Sequence, residues 1–415
     1  MKRSPKQICI AIASAGCLTL LAACNRTGTL GRSNSVRNER SEASTPSLQF
    51  DPSSDSECEE TDSAPVVGSG IVCFVDNDCQ LHCLDARTGR KLYSFKPDEP
   101  VGFFHVIDGT FALLADGNHA SAFDVRTGNE VWKLDLSAPL TDTPLAGKGV
   151  VYCANDQGEL IAVDQKTGRE RWRRSLNNRG QAGDIWLGLA LSGDLYGRTL
   201  NSVRRIDVTS GDERWRYDSQ DDLLDLQVAN NTVCVQSDRG LVVLDAQTAA
   251  VLWSMESMDE DTASSVKMAG RLLYLGNGDD VRAIDLASGV LKWRYSEEHK
   301  TGFFSLMEAN SSLVLIQGEQ TVYAVDARYG LKARQFDRST FLSLSGDLLV
   351  LDSGAFIVAE DTRTGRQRWR FPTPSQYGSL SPATVASGVV YLTGGGEEVF
   401  ALSLESGKQI WASSK

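Results

Sequence analysis

The sequence predicts an all-β protein, a β-propeller of about eight four-stranded antiparallel blades. Three observations predict it: a motif that recurs nine times, short alternating strands in each copy, and an aromatic residue at a fixed position in most copies. The interval of 35 to 43 residues between copies is typical of an array of small structural units. Such an array can occupy a 415-residue chain as one body.

The repeated motif reads Asp164, Gly168 and Trp172 in its third copy, and the same spacing holds in every copy. In chain order, the first position holds Asp85, Asp124, Asp164, Asp207, Asp245, Asp285, Asp326, Asp361 and Ser403. The second position holds Gly89, Gly128, Gly168, Gly211, Ala249, Gly289, Gly330, Gly365 and Gly407. The third position holds Tyr93, Trp132, Trp172, Trp215, Trp253, Trp293, Arg334, Trp369 and Trp411. The fifth and seventh copies are the weakest, so the sequence leaves open whether the ring has nine blades or whether one weak copy forms none.

Each copy has the pattern of a four-stranded meander. In the third copy, residues 150–154 and 159–164 alternate as a hairpin around a turn at 155–158, and an outer strand follows at 169–173. The fourth strand is predicted before the hairpin, at 139–145 here and at 381–386 in the last copy. The aspartate is expected to accept hydrogen bonds from backbone N–H groups two or three residues on, and the glycine to adopt positive φ.

The recurring tryptophan is interpreted as a packing residue. One meander cannot bury both of its faces, so neighbouring meanders must stack, and radial stacking gives a closed ring. A large rigid side chain on each outer strand would fill the space between one blade and the next. A ligand-stacking surface is the alternative, but repetition in nearly every copy favours packing. Trp186 is the one tryptophan outside the repeated position, and it is therefore a candidate for contact with a partner.

The N-terminal region predicts export and a lipid anchor. Residues 1–24 combine a basic start with an apolar run and end in Leu-Ala-Ala-Cys, which resembles the lipobox of bacterial lipoproteins. The resemblance implies that Cys24 is lipidated and becomes the mature N-terminus, and Asn25 after it implies sorting to the outer membrane. Residues 25–60 are polar and predict a flexible tether, whereas residues 61–415 predict the propeller.

Charge argues against nucleic acid as a partner. The net charge is −12, and loss of the three basic residues of the leader, which has no acidic residue, would make it −15. Binding to DNA or RNA requires clustered Lys and Arg instead. The acidic runs at 218–222 and 259–261 fall between copies and are interpreted as solvated loops.

Six cysteines would remain after export and lipidation, in a compartment that permits disulfides. Cys73 and Cys83 are predicted opposite each other in the first hairpin, which allows a bridge between them, with Cys58 and Cys79 as a second pair. The spacing alone does not fix this connectivity. Cys153 and Cys234 are expected to be buried and unpaired.

No catalytic or metal-binding motif accompanies the repeat. The chain has no Gly-x-Ser-x-Gly, no Gly-Lys-Ser or Gly-Lys-Thr, no His-Glu-x-x-His, and four histidines without metal-ligand spacing. No catalytic residue, metal ligand, cofactor or enzymatic activity is therefore predicted.

The Asp, Thr, Gly and Trp positions together resemble the PQQ-like, or quinoprotein-type, β-propeller repeat over residues 61–415. With a lipobox and no other domain, the chain is similar to the BamB family of lipid-anchored propellers. That resemblance implies a non-enzymatic protein-interaction scaffold, monomeric within a complex, that faces the periplasm from the outer membrane and takes part in the assembly of outer-membrane β-barrel proteins. The alternative is a periplasmic PQQ-dependent oxidoreductase or a remnant of one. The vicinal cysteine pair of alcohol-oxidising quinoproteins is absent.

Overall fold

The computed structural model describes residues 47–49, 64–76, 80–95, 101–107, 111–116, 118–141, 144–176, 186–189, 194–256, 265–276, 280–297, 304–318, 321–337, 339–373, 380–394 and 398–413. In these ranges the regular secondary structure consists of 37 β-strands. They form nine antiparallel sheets, numbered 1 to 9 in chain order.

Each sheet takes four consecutive strands. Sheets 1 to 3 contain β2 (Val66–Gly68), β3 (Ile71–Val75), β4 (Leu81–Asp85), β5 (Lys91–Phe95); β6 (Val101–Ile107), β7 (Phe111–Asp116), β8 (His119–Asp124), β9 (Glu130–Asp135); β10 (Leu145–Gly147), β11 (Val150–Ala154), β12 (Glu159–Asp164), β13 (Glu170–Ser175). Sheets 4 to 6 contain β14 (Trp186–Leu189), β15 (Leu195–Arg198), β16 (Ser202–Ile206), β17 (Glu213–Asp218); β18 (Leu223–Ala229), β19 (Thr232–Ser237), β20 (Gly240–Asp245), β21 (Val251–Glu256); β22 (Ser265–Ala269), β23 (Leu272–Gly276), β24 (Val281–Asp285), β25 (Leu291–Tyr295). Sheets 7 to 9 contain β26 (Ser305–Ala309), β27 (Leu313–Gln317), β28 (Thr321–Asp326), β29 (Lys332–Asp337); β30 (Thr340–Ser345), β31 (Leu348–Asp352), β32 (Phe356–Asp361), β33 (Gln367–Pro372); β34 (Thr384–Ala386), β35 (Val389–Gly394), β36 (Glu398–Ser403), β37 (Gln409–Ala412).

The sheets stack into a closed propeller, as the sequence predicts. At seven of the nine seams the first strands of neighbouring sheets contact each other, and β2 contacts both β6 of sheet 2 and β34 of sheet 9. The first strand of each sheet therefore lies innermost. All nine copies of the motif form sheets, including the weak fifth and seventh, so the described part of the chain has nine blades and not the predicted eight or so.

In the described residues, no strand is exchanged between the first and last sheets of the ring. Sheets 1 and 9 are each complete from consecutive strands. They are joined by a shared apolar cluster that includes Val72 and Phe74 from sheet 1 and Tyr391 and Trp411 from sheet 9. The Trp411 indole Nε1 donates to the Ala86 carbonyl oxygen at 2.9 Å, and the Tyr391 hydroxyl donates to the same oxygen at 3.3 Å.

The tryptophan is an inter-sheet wedge, as expected. In seven of the nine seams, its Nε1 donates to the carbonyl that follows the motif aspartate or serine of the next sheet, for example from Trp369 to Leu404 at 2.7 Å. The ring also lies on the next glycine: a Cβ at Gly168 would stand 2.5 Å from the Trp132 indole. Positive φ and the ring's closeness therefore both favour glycine there. Ala249 retains a φ of 60° despite its side chain, and Trp215, which packs on that turn, is only partly buried.

Two details of the sequence prediction need correction. The innermost strand of sheet 3 is Leu145–Gly147 and that of sheet 9 is Thr384–Ala386, so both begin later than predicted. Residues before them make only isolated bridges, such as Leu140 to Asn155, because the chain is still entering the sheet. Within the predicted tether, Ser47–Gln49 forms β1, which pairs antiparallel with β6 and adds a fifth strand to sheet 2. The inner edge of β6 has backbone groups that pair with these three residues.

Candidate interaction surfaces

The propeller has two faces that carry different turns. In seven of the nine sheets, the third turn bonds to the first turn of the same sheet, as in Gln165 N to Gly149 O at 3.1 Å and Leu404 N to Gly388 O at 2.9 Å. These turns define what we call the turn face. The second turns and the connections between sheets lie on the opposite side, which we call the loop face.

The motif aspartates are engaged in the turns that they begin. Asp164 Oδ1 accepts from the backbone N–H of Thr167 at 3.1 Å and from its hydroxyl at 2.9 Å, and Oδ2 pairs with Arg171 at 2.6 Å. The Arg171 hydrogen bond is the main cause that lowers the Asp164 pKa to about 2. The same turn bonds recur at the other motif aspartates, for example at Asp361. The motif is therefore a structural turn, as the sequence interpretation holds.

The cysteines of sheet 1 include one bridge. Cys73 on β3 lies directly opposite Cys83 on β4, with a Cα–Cα distance of 4.3 Å, and the structure joins the two sulfurs in a disulfide. Cys24, Cys58 and Cys79 lie outside the described residues. Cys153 and Cys234 are buried and free, as expected, and burial raises the pKa of the Cys153 thiol to about 12.

Titratable side chains do not assemble into a metal centre in the described ranges, where no group of three or more His, Cys, Asp or Glu could hold an ion. Of the acidic run at 218–222, Asp218 pairs with Arg216 and Asp221 faces Arg239 at 3.5 Å. The run at 259–261 lies outside the described residues. Among the residues described, there is also no helix of the length and apolarity needed to cross a membrane.

Trp186 begins β14, the innermost strand of sheet 4, at the loop-face end. Its backbone pairs with Arg198, the last residue of β15. The Arg198 side chain is buried and donates to the Leu223 carbonyl oxygen in sheet 5. Trp186 thus lies at the seam between sheets 4 and 5.

Beside this seam lies a small apolar surface that we call the loop-face patch, formed by Leu200 and Leu224. Leu200 is 53% exposed in the second turn of sheet 4, and Leu224 is 48% exposed at the start of β18. The Leu223 N–H donates to the Leu200 carbonyl oxygen at 2.6 Å, which joins the backbone segments that carry the two leucines. Exposed carboxylates lie on the segments around them, at Asp218, Asp222, Asp225 and Asp238. The patch is therefore apolar at its centre and acidic at its rim.

A second apolar surface follows the rim of the turn face across sheets 5, 6 and 7. We call it the apolar arc, and its members, 42% to 67% exposed, are Val251, Leu252, Val290, Leu291, Tyr329 and Leu331. They occupy motif positions that begin or adjoin the outer strand. In sheets 3, 4 and 8, the fifth to seventh residues after the aspartate are instead almost all charged, as Arg169, Glu170, Arg171, Asp212, Glu213, Arg214, Arg366, Gln367 and Arg368 show.

Neither surface was identified from the sequence. Exposed and buried residues alternate along a strand, so one exposed leucine such as Leu224 cannot be recognised from the sequence. Leu200 lies in a turn that carries no motif residue. The arc can be recognised in the sequence. When the nine copies are aligned, the fifth to seventh positions after the aspartate include Val or Leu in copies five, six and seven, whereas copies three, four and eight have mostly charged residues there.

Comparison with known proteins agrees with this architecture. A family model described as outer membrane protein assembly factor BamB matches residues 115–221, 195–341 and 337–415. The BamB protein of Yersinia pestis is 22% identical over 326 residues, which span 70% of this chain and 82% of that one. Quinohemoprotein alcohol dehydrogenase ADH IIB of Pseudomonas putida is 27% identical over 194 residues, which span 42% of this chain and only 23% of the dehydrogenase. The computationally designed protein Ika8 has the same fold, with a TM-score of 0.54 at 17% identity over 70% of this chain and 92% of that chain.

The fold and the repeated turn define this chain as a β-propeller of the PQQ-like repeat class. The family match extends over more than half of its length. The chain belongs to the outer membrane protein assembly factor BamB family.

Proposed function

We propose that this protein is a lipid-anchored, non-enzymatic scaffold of the bacterial envelope that binds a protein of outer-membrane β-barrel assembly. Family membership and the name of the Yersinia pestis relative support a role in outer-membrane protein assembly. The lipobox supports lipidation at Cys24 and attachment to the outer membrane on its periplasmic side. Residues 25–46 and 50–60 would then act as the tether of the propeller.

The proposal of a protein partner rests on the loop-face patch. Leu200 and Leu224 form an exposed apolar centre, and carboxylates at Asp218, Asp222 and Asp225 lie around it. An apolar centre with a polar rim is the usual anatomy of a docking site. Because the rim is acidic, we infer a partner segment that presents leucine-like or aromatic side chains flanked by Lys or Arg. Trp186, at the same seam, is proposed as a further contact.

The test is site-specific photo-crosslinking in intact cells from a photoreactive residue at position 224. We expect a crosslinked component of the barrel-assembly machinery, and loss of that product in a Leu200→Glu variant. The matched control places the same photoreactive residue at position 410, because Ile410 is about as exposed but lies on the turn face. Recovery of no barrel-assembly component from position 224 contradicts the specific role.

The alternative function is quinone-dependent oxidation, which the similarity to a quinohemoprotein alcohol dehydrogenase supports. It is tested by adding the quinone and Ca²⁺ to the purified protein and measuring dye-linked oxidation of alcohols and sugars. Stoichiometric cofactor binding with turnover would replace the scaffold proposal. We expect neither.

A further inference from the structure

The apolar arc is a local departure in an otherwise regular surface. Ten large apolar side chains are exposed among the described residues, and six of them belong to the arc. Two others form the loop-face patch, and Val131 and Ile410 each stand alone in sheets 2 and 9. A contiguous set of this kind on an otherwise charged rim marks an interaction site.

The six side chains also run across the seams between sheets. Val251 lies two residues before Trp253, at the start of β21. The Trp253 ring packs on Gly289, and Val290 follows directly. The same relationship joins Leu291 to Leu331, because Trp293 packs on Gly330. The arc therefore continues from sheet 5 through sheet 7, one third of the ring.

Charge on the arc differs from that of the whole protein. The net charge of the chain is −12, yet exposed cations lie near the arc at Arg271, Lys292 and Arg328. The carboxylates of sheets 6 and 7 at these turns are engaged: Asp285 accepts from Ser288 and lies 3.7 Å from Lys292, and Asp326 accepts the backbone N–H of Tyr329 at 2.8 Å. The surface thus presents apolar groups interspersed with cations and with carboxylates that are already bonded within their own turns.

The local arrangement is typical of side chains at a lipid headgroup interface. The Arg328 guanidinium lies 5.2 Å from the centroid of the exposed Tyr329 ring. A tyrosine with an adjacent cation, flanked by leucine and valine, places its apolar body in the acyl boundary and its polar ends among phosphates. Because successive sheets repeat around one axis, equivalent turns of three sheets end near a common plane. A flat partner complements such a rim better than a narrow peptide does.

We propose that the apolar arc rests on the headgroup region of an anionic phospholipid bilayer. This contact directs the loop face, and with it the loop-face patch, away from the membrane and toward a protein partner. The inference deepens the proposed function and rests on its placement of the protein at a membrane. It adds a second, peripheral attachment that does not depend on the lipid at Cys24.

The test is vesicle flotation with the processed chain, residues 24–415 with Cys24→Ser, so that neither the leader nor a lipid contributes. Every described residue is retained in this chain. Vesicles of phosphatidylethanolamine with phosphatidylglycerol are compared with vesicles of phosphatidylcholine alone. We expect binding to the anionic vesicles only, and a fall of about tenfold or more in partition coefficient for the double variant Leu291→Glu, Leu331→Glu, since two exposed leucines lose their burial.

The matched control is the double variant Val131→Glu, Ile410→Glu, which changes two exposed apolar residues on outer strands outside the arc. It should bind as the unmodified chain does, and both variants should keep its unfolding midpoint. Absence of binding to anionic vesicles, or an equal loss in both variants, overturns the inference. An arc variant that loses a protein crosslink while its vesicle binding is unchanged also overturns it. Crosslinks from position 224 report separately on the proposed function.

Discussion

The Trp411 indole donates to the Ala86 carbonyl oxygen at 2.9 Å, which fastens the last sheet of the ring to the first. The same bond recurs from sheet to sheet at six other seams. The two remaining seams have Tyr93 or Arg334 at the wedge position. Closure therefore uses the same hydrogen bond as the six other seams. It depends on side chains because, among the strands that the structure describes, none is exchanged between the first and last sheets.

Replacing Trp411 should weaken the closure. Trp411→Ala removes a buried ring and its hydrogen bond, so we expect the free energy of unfolding in urea to fall by about 3–5 kcal/mol. Trp411→Phe retains most of the packing and should cost only about 1–2 kcal/mol, mainly for the lost bond. Equal costs for the two variants would show that the ring itself contributes little.

The glycine of the third copy is required for two reasons that can be separated. Gly168 has a φ of +68°, and a Cβ there would lie 2.5 Å from the Trp132 indole. Gly149 has a φ of +75°, and a Cβ there would have no atom within 4 Å. Gly149→Ala should therefore cost about 1 kcal/mol for the backbone alone, and Gly168→Ala distinctly more. Thermal and urea unfolding of both variants provide the comparison, and identical losses would exclude the wedge contact as a cause.

Acid should destabilise the propeller between pH 4 and pH 2. The folded-state pKa of Asp164 and of Asp207 is lowered from 3.8 to about 2, with Arg171 and Arg214 among the causes. Below pH 4 the unfolded chain binds these protons first, so the stabilisation present above pH 4 is lost as pH falls through the folded pKa. The double variant Asp164→Asn, Asp207→Asn should show a shallower fall of the urea midpoint across this range. An unchanged slope would contradict this assignment.

The Cys73–Cys83 bridge should stabilise sheet 1. It closes a short loop, so its removal in the double Ser variant should cost about 2–3 kcal/mol. The control is Cys153→Ser, which leaves the bridge in place. Alkylation before and after reduction, followed by mass spectrometry of the peptides, tests the pairing directly. Labelling of Cys73 in the unreduced, unfolded protein would show that the bridge is absent.

The periodicity of the sequence is sufficient to predict the propeller because the residues of each copy determine the local structure of its sheet. Asp and Gly recur in most third turns and Trp at seven of the nine seams, and the copies with Ala249 and Arg334 still form complete sheets. The innermost strands of sheets 3 and 9 are misplaced by the sequence because each is only three residues long and lacks a motif residue. Strand β1 was missed because its three residues acquire their structure only by pairing with β6.

The candidate surfaces were less predictable, because exposure depends on neighbours distant in the chain. Leu200 and Leu224 meet only when sheets 4 and 5 stack. Trp186 was singled out for lying outside the repeat, and it does begin a strand at this seam, but its role in binding stays a prediction. The apolar residues of the arc can be found in the sequence. Only the stacking of sheets 5, 6 and 7 in the ring shows that they form one surface.

The central claim is that the loop-face patch docks a protein of β-barrel assembly. Photo-crosslinking from position 224 in intact cells tests it most directly. We expect a crosslink to a barrel-assembly component that Leu200→Glu abolishes and that is absent when the photoreactive residue is at position 410. A crosslink of equal yield from both positions, or none to any barrel-assembly component, would contradict it.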